Sequence, residues 1–115
     1  MHSELSHLMN DLKAGTAKFN QVLDLIDRNY QHQPTAFKNG TNANEASQNQ
    51  GSAKVFAFAQ LQQLSEQETL YLFAEHYQAV LSNPTGDDHQ NIRQFMAHGW
   101  AGIIFEGRVL SPLNQ

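Results

Sequence analysis

The chain has 115 residues, 40% of them hydrophobic and 16% charged, with a formal net charge of −4 and no cysteine. Its seven Lys and Arg residues are scattered from Lys13 to Arg108, so no clustered basic face exists to displace counterions from nucleic acid or to hold an anionic membrane surface. The lack of thiols excludes disulfides, thiolate chemistry and Cys-ligated zinc.

The length suits one domain over residues 1–115. No apolar run approaches the roughly 18 residues of a membrane-spanning helix. The start, Met1-His2-Ser3-Glu4-Leu5, has no basic stretch followed by an apolar one, as an export leader would require. A monomer in the cytoplasm is the expectation.

Leu5, Leu8, Met9 and Leu12 recur at i, i+3, i+4 and i+7, the stripe of a helix over residues 3–14. Ser3 is placed to cap its start and Gly15 to stop it. Thr16 then caps a second helix whose stripe is Phe19, Val22, Leu23 and Ile26, ending near Tyr30. Beyond Pro34, Thr35 to Lys38 read as extended, and Asn39-Gly40 is a strong tight-turn signal. Thr41 to Ser52 contain no large apolar residue and several Asn and Gln, which reads as a long mobile loop. Ser52 opens the next helix, where Val55, Phe56, Phe58, Ala59 and Leu61 are apolar on most sides, as in a central buried helix.

Ser65-x-x-Glu68 has the spacing of a capping box. The helix behind it carries Leu72, Phe73, His76, Tyr77, Val80 and Leu81. Asn83-Pro84-Thr85-Gly86 turns the chain. Asp87 or Asp88 caps a last helix with Ile92, Phe95 and Met96 on its apolar face, stopped at Gly99, with Trp100 available to pack against the stop. Ile103-Ile104-Phe105 and Val109-Leu110 read as a strand or small hairpin, pairing with the segment around Ala36-Phe37. The expected fold class is therefore α+β: a mostly helical single domain of about five helices with a small sheet of two or three short strands.

Several segments, in order from about residue 19 to about residue 110, carry a family resemblance. They include Pro34-Thr35-Ala36-Phe37-Lys38-Asn39-Gly40, Gly51-Ser52-Ala53-Lys54-Val55-Phe56, Pro84-Thr85-Gly86-Asp87-Asp88-His89-Gln90-Asn91 and Gly99-Trp100-Ala101-Gly102-Ile103. In these the chain resembles the HopJ family of type III effector proteins. The resemblance implies a small bacterial domain, offers secretion through a type III system as the alternative to a cytoplasmic role, and brings no agreed activity with it. One departure matters. Ala53 stands in a Gly-Ser-x-Lys stretch where the family often carries cysteine. A thiol at a helix start would be activated, and Ala53 has none, so the position reads as one of packing.

The sharpest constellation is Asp87-Asp88-His89-Gln90-Asn91-Ile92-Arg93. With Asp88 as cap, His89 falls in the first turn beside free amides, and His89, Ile92, Arg93 and Met96 share a face. Candidate ligand-binding residues are Asn44, Glu45, Ser52, Lys54, His89 and Arg93. No catalytic residue is assigned. His89 and His98 face opposite sides of one helix and no His-Glu-x-x-His is present, so no metal and no cofactor is expected. Two functions follow. The first is a non-catalytic binding or interaction module for a small polar ligand or a protein partner. The second is a hydrolase-like enzyme in which Ser52, Glu45, His89 and Arg93 converge.

Overall fold

The N-terminal helix, α1 (His2–Ala14), buries Leu5, Met9 and Leu12 and is followed by α2 (Phe19–Asn29), which buries Val22, Leu25 and Ile26. The computed structural model to which these elements belong describes residues 1–113. Gly15 closes α1 in the left-handed conformation at φ 78°. Thr16 belongs to this stop rather than to the next helix: its amide donates to the Asp11 carbonyl at 2.9 Å and its hydroxyl to the same oxygen at 3.2 Å. The bond spanning five residues over a left-handed glycine is the Schellman arrangement. With Thr16 so engaged, α2 starts three residues later, at Phe19, and the Gln21 side chain accepts from the Lys18 amide at 2.8 Å. Nor does Ser3 cap α1, which already begins at His2.

Strand β1 (Tyr30–His32) follows directly, then β2 (Phe37–Asn39) and β3 (Asn42–Asn44) around Asn39-Gly40, with Gly40 at φ 59°. The segment expected to be a mobile loop thus contains a strand. Helix α3 (Gln50–Leu61) begins two residues before Ser52, with Asn49 as its N-cap. Its residues Val55 to Ala59 are all buried, so the helix is apolar all round and forms the axis of the core. The ring of Phe56 meets those of Phe95 at 5.0 Å, Phe73 at 5.3 Å, and Phe37 and Trp100 at 6.4 Å.

The single helix expected after Ser65 is two. α4 (Glu66–Tyr71) opens on the predicted capping box: the Glu68 amide donates to Ser65 Oγ at 3.1 Å and the Ser65 amide to Glu68 Oε1 at 2.9 Å. Ala74, at φ 52° and ψ −124°, then breaks the path, and α5 (Glu75–Ser82) restarts. This break accounts for six helices where about five were expected. α6 (Gln90–His98) is followed by a 3-10 turn (Gly99–Gly102), β4 (Ile103–Phe105) and β5 (Leu110–Pro112).

The expected pairing of Phe37 with the Ile103 strand is present. The antiparallel order is β3-β2-β4, with Phe37 opposite Phe105 and Asn39 opposite Ile103. Leu110 does not fold back on that strand. It joins a second, two-stranded ladder in which Tyr30 faces Pro112 and His32 faces Leu110. Tyr30 lacks the alternation that marks a strand, and its pairing partner lies far along the chain, so local pattern could not have found this ladder. The α+β class holds, with helices dominant.

Because Phe56 is fully buried and touches four other rings, Phe56→Ala should lose about 3–5 kcal/mol of stability. Urea denaturation followed by circular dichroism measures this; a loss below about 1 kcal/mol would mean the core does not centre on α3.

Candidate functional site

Four helix starts converge on one cavity of about 450 Å³. Its apolar wall is Phe19 at the start of α2, Phe73 before α5, and Ile92. Its polar wall is Asn42, Asn49, Gly51 and Ser52 around the start of α3, His89, Gln90 and Asn91 around the start of α6, and His76 of α5.

Local backbone choices aim these groups. Asn49 at φ 52° and His89 at φ 51° are both left-handed N-caps, and neither side chain bonds back into its helix. Asn and His adopt this region more readily than most residues, though with strain. The usual N-cap geometry would have satisfied the first amides. Here Gly51, Ser52, Gln90 and Asn91 all line the cavity, and their backbone amides have no hydrogen-bond acceptor among the described residues. The kink at Ala74 serves the same place by setting the start of α5. The His76 ring lies 5.2 Å from that of His89 and meets the edge of Phe19 at 5.0 Å. Phe19 in turn stacks on Phe73 at 5.9 Å.

In the polar wall and just behind it, five asparagines form one network. Asn44 and Asn91 pair reciprocally: Asn91 Nδ2 donates to Asn44 Oδ1 at 3.1 Å, and Asn44 Nδ2 to Asn91 Oδ1 at 3.3 Å. Asn49 Nδ2 donates to Asn44 Oδ1 at 2.7 Å. Asn42 Nδ2 reaches Asn91 Oδ1 at 3.2 Å, and Asn39 Nδ2 reaches the Asn91 carbonyl at 2.7 Å. The network ties the β2–β3 hairpin to the starts of α3 and α6, and so holds the polar wall together.

The six sequence candidates are distributed unevenly. Ser52 and His89 both line the cavity. Asn44 lies just behind it, buried in the network. Glu45 is exposed and outside the lining. Lys54 pairs with Asp27 of α2 at 2.9 Å. Arg93 points away from the cavity. Its guanidinium binds Asp88 Oδ1 at 2.6 Å and the carbonyls of Asp88, Asn83 and Pro84 at 2.5, 3.0 and 3.2 Å, clasping the turn before α6. Asp88 is therefore the partner of Arg93 and not the helix cap; the hydrogen bond from Arg93 is the main force holding the Asp88 carboxyl below the usual aspartate range. The structure brings Ser52 and His89 to one cavity and leaves Glu45, Lys54 and Arg93 off its wall.

His76, Phe19, Phe73, Asn49 and Asn91 were missed as wall residues. The aromatics read as core stripe, Asn49 as part of a polar loop, and Asn91 as one residue of the stretch around His89 with no role of its own. The available signal was compositional: a segment without apolar anchors that still carries five amide side chains from residue 42 to residue 50 needs partners for them if it is ordered. A wider groove of about 740 Å³ separates α1 and α2. Its one guanidinium is exposed and already committed, with Arg28 bridging Glu4 at 2.7 Å and Asp24 at 2.9 Å, so the smaller cavity with unpaired donors is the better candidate. Among the described residues no group of three His, Asp or Glu side chains could hold a metal.

The HopJ type III effector protein model matches residues 5–110. The chain belongs to this HopJ family. It is also similar to the crystal structure of a protein of unknown function, VPA0580, with 39% sequence identity and a TM-score of 0.85 over 93% of this chain and 92% of that one. No curated protein matches. Among the described residues of this HopJ-family chain, no helix is long and apolar enough to cross a membrane.

One contact on the rim can be tested by pH. Glu75 Oε1 accepts from the Phe19 amide at 2.7 Å, linking the starts of α2 and α5. Burial pushes the Glu75 carboxyl up, but the amides of Glu75 and Phe19 outweigh it and hold the group below 4.5. A depressed folded pKa gives stability that is present above the unfolded value and is lost as pH falls through the folded one. Glu75 is exposed, so after solvent screening the effect is about 0.5 kcal/mol. Glu75→Gln should lower the melting temperature by about 2–4 °C at pH 7, with the gap closing below pH 4.5. A gap that does not change between pH 7 and pH 3 would rule out the charge as its source.

Proposed function

We propose that this HopJ-family domain is a non-catalytic binding module, and that its cavity seats the acceptor-rich group of a small polar ligand, a carboxylate or a phosphate. One observation carries this reading: four backbone amides without protein acceptors, the Ser52 hydroxyl and the paired imidazoles of His76 and His89 surround a single cavity. Unmet amides at helix starts favour negative charge through both their protons and the helix dipole. The apolar wall of Phe19, Phe73 and Ile92 gives the rest of the ligand a surface to pack on, as small-molecule sites usually do.

The hydrolase alternative has less support. Ser52 and His89 share the cavity, but Glu45 and Arg93 are not on its wall, and a nucleophile needs a base oriented by a third group. We read the protein as a bacterial, cytoplasmic monomer. The burial of Leu5, Met9 and Leu12 supports a role for residues 2–14 in the core. Secretion through a type III system, which the family's name carries, is the alternative.

The test is to titrate the isotopically labelled chain with inorganic phosphate and with small carboxylates, following backbone amide shifts by NMR. Saturable shifts at Gly51, Ser52, Gln90 and Asn91 are expected. His89→Ala should weaken binding about tenfold, the loss of one hydrogen bond to a charged group. Absence of localised shifts with every anion would sink the ligand reading and direct the search to a protein partner.

A further inference from the structure

We propose that Asn39 is a latent deamidation site that the fold keeps intact, and that its conversion to aspartate undoes the asparagine network. Among the chain's asparagines, Asn39 alone precedes a glycine. An Asn-Gly step is chemically exposed because no side chain shields the following backbone nitrogen. The Gly40 nitrogen attacks Asn39 Cγ, the new Cγ–N bond closes a succinimide, and the Asn39 Nδ2 leaves as ammonia. Water then opens the ring at one of its two carbonyls, giving aspartate or isoaspartate. Water is the sole co-reactant.

Three features of this molecule block each requirement of that reaction. The nucleophile is engaged: the Gly40 amide donates to the Gly102 carbonyl at 3.0 Å. The leaving group is pinned: Asn39 Nδ2 donates to the Asn91 carbonyl at 2.7 Å and to Asn91 Oδ1 at 3.1 Å. Water is excluded: Asn39 is fully buried. The residue is also held extended in β2, opposite Ile103 on one side and Asn42 on the other, which separates the attacking nitrogen from Cγ.

The product does not fit the same place. Asn39 Oδ1 has no partner among the described residues, so the side chain is held only through its NH₂ group. Aspartate replaces that donor by an oxygen facing two acceptors of Asn91, and a buried carboxylate without a donor is strongly disfavoured. Asn91 is both the lock on Asn39 and a wall residue of the cavity. One opening of α6 from the hairpin therefore exposes the reactive step, and the resulting change stops the two from closing again as before. This inference is independent of which ligand the cavity takes.

The experiment incubates the full chain at mildly alkaline pH, folded and in denaturant, and maps deamidation by peptide mass spectrometry. Conversion at residue 39 should be at least about tenfold slower in the folded chain, the ratio reflecting the free energy of local opening. Asn91→Ala, which removes one acceptor and the reciprocal pair, should narrow that ratio. Circular dichroism checks that the variant is folded, and if it is not, the wild-type ratio decides. Separately, Asn39→Asp should melt at lower temperature than the parent and shift the amides of Gln90 and Asn91. Equal conversion rates in the folded and denatured chain would overturn the proposal, as would an Asn39→Asp protein with unchanged melting and unchanged cavity amides.

Discussion

A buried amide must find a partner, and in this protein that constraint organises the region where the helices begin. Asn39, Asn44 and Asn91 are almost wholly enclosed. An asparagine side chain has two donors and one double acceptor, so its needs are met here only by other amides at matching distances. Satisfied networks of this kind specify one arrangement, because a shift of any member leaves several groups unpaired. The hairpin, the start of α3 and the start of α6 are thereby placed relative to one another, and the cavity follows from that placement. Reversing Asn39, the member with an unsatisfied oxygen, would set that oxygen against two acceptors, so the observed orientation is the lesser penalty.

The aromatic core and the amide network divide the work. Phe56 and its ring partners supply the burial that makes the domain stable. They are tolerant in direction, since apolar contact is not directional. The amides add little net free energy each but decide which of several compact arrangements is adopted. Three of the four non-glycine residues with positive φ among the described residues, Asn49, Ala74 and His89, lie between the two systems. Each turns the chain sharply so that a helix starts against the cavity, and positions of this type persist only where the surroundings over-determine them.

How much of this was legible follows the range of the interactions. Stripes such as Leu5–Leu12 and the dense run Val55–Ala59 announce helices because they depend on neighbours within two turns. The Ser65–Glu68 box and the Asn39-Gly40 turn are just as local. The break at Ala74 was not legible, since alanine is the strongest helix former and only tertiary contacts can force it left-handed. Likewise His89 was expected inside the first turn of α6. It became the cap because Arg93 occupies Asp88, an interaction that the sequence permits but does not demand. The candidate site was half visible: Ser52 and His89 stand out by type, whereas His76 reaches the cavity only because of the unforeseen kink.

The engagement of Arg93 has one more consequence. With that guanidinium committed to the turn at Asn83–Asp88 and Lys54 committed to Asp27, neither lends a formal positive charge to the cavity, whose unmet donors are largely peptide dipoles. Dipoles fixed by a rigid backbone act over a few ångströms and attract little at the Debye length. Capture of an anion here would thus owe little to long-range attraction, and ionic strength would barely alter how fast it arrives. Selectivity would reside in the fit of the bound group, after encounter, rather than in the approach.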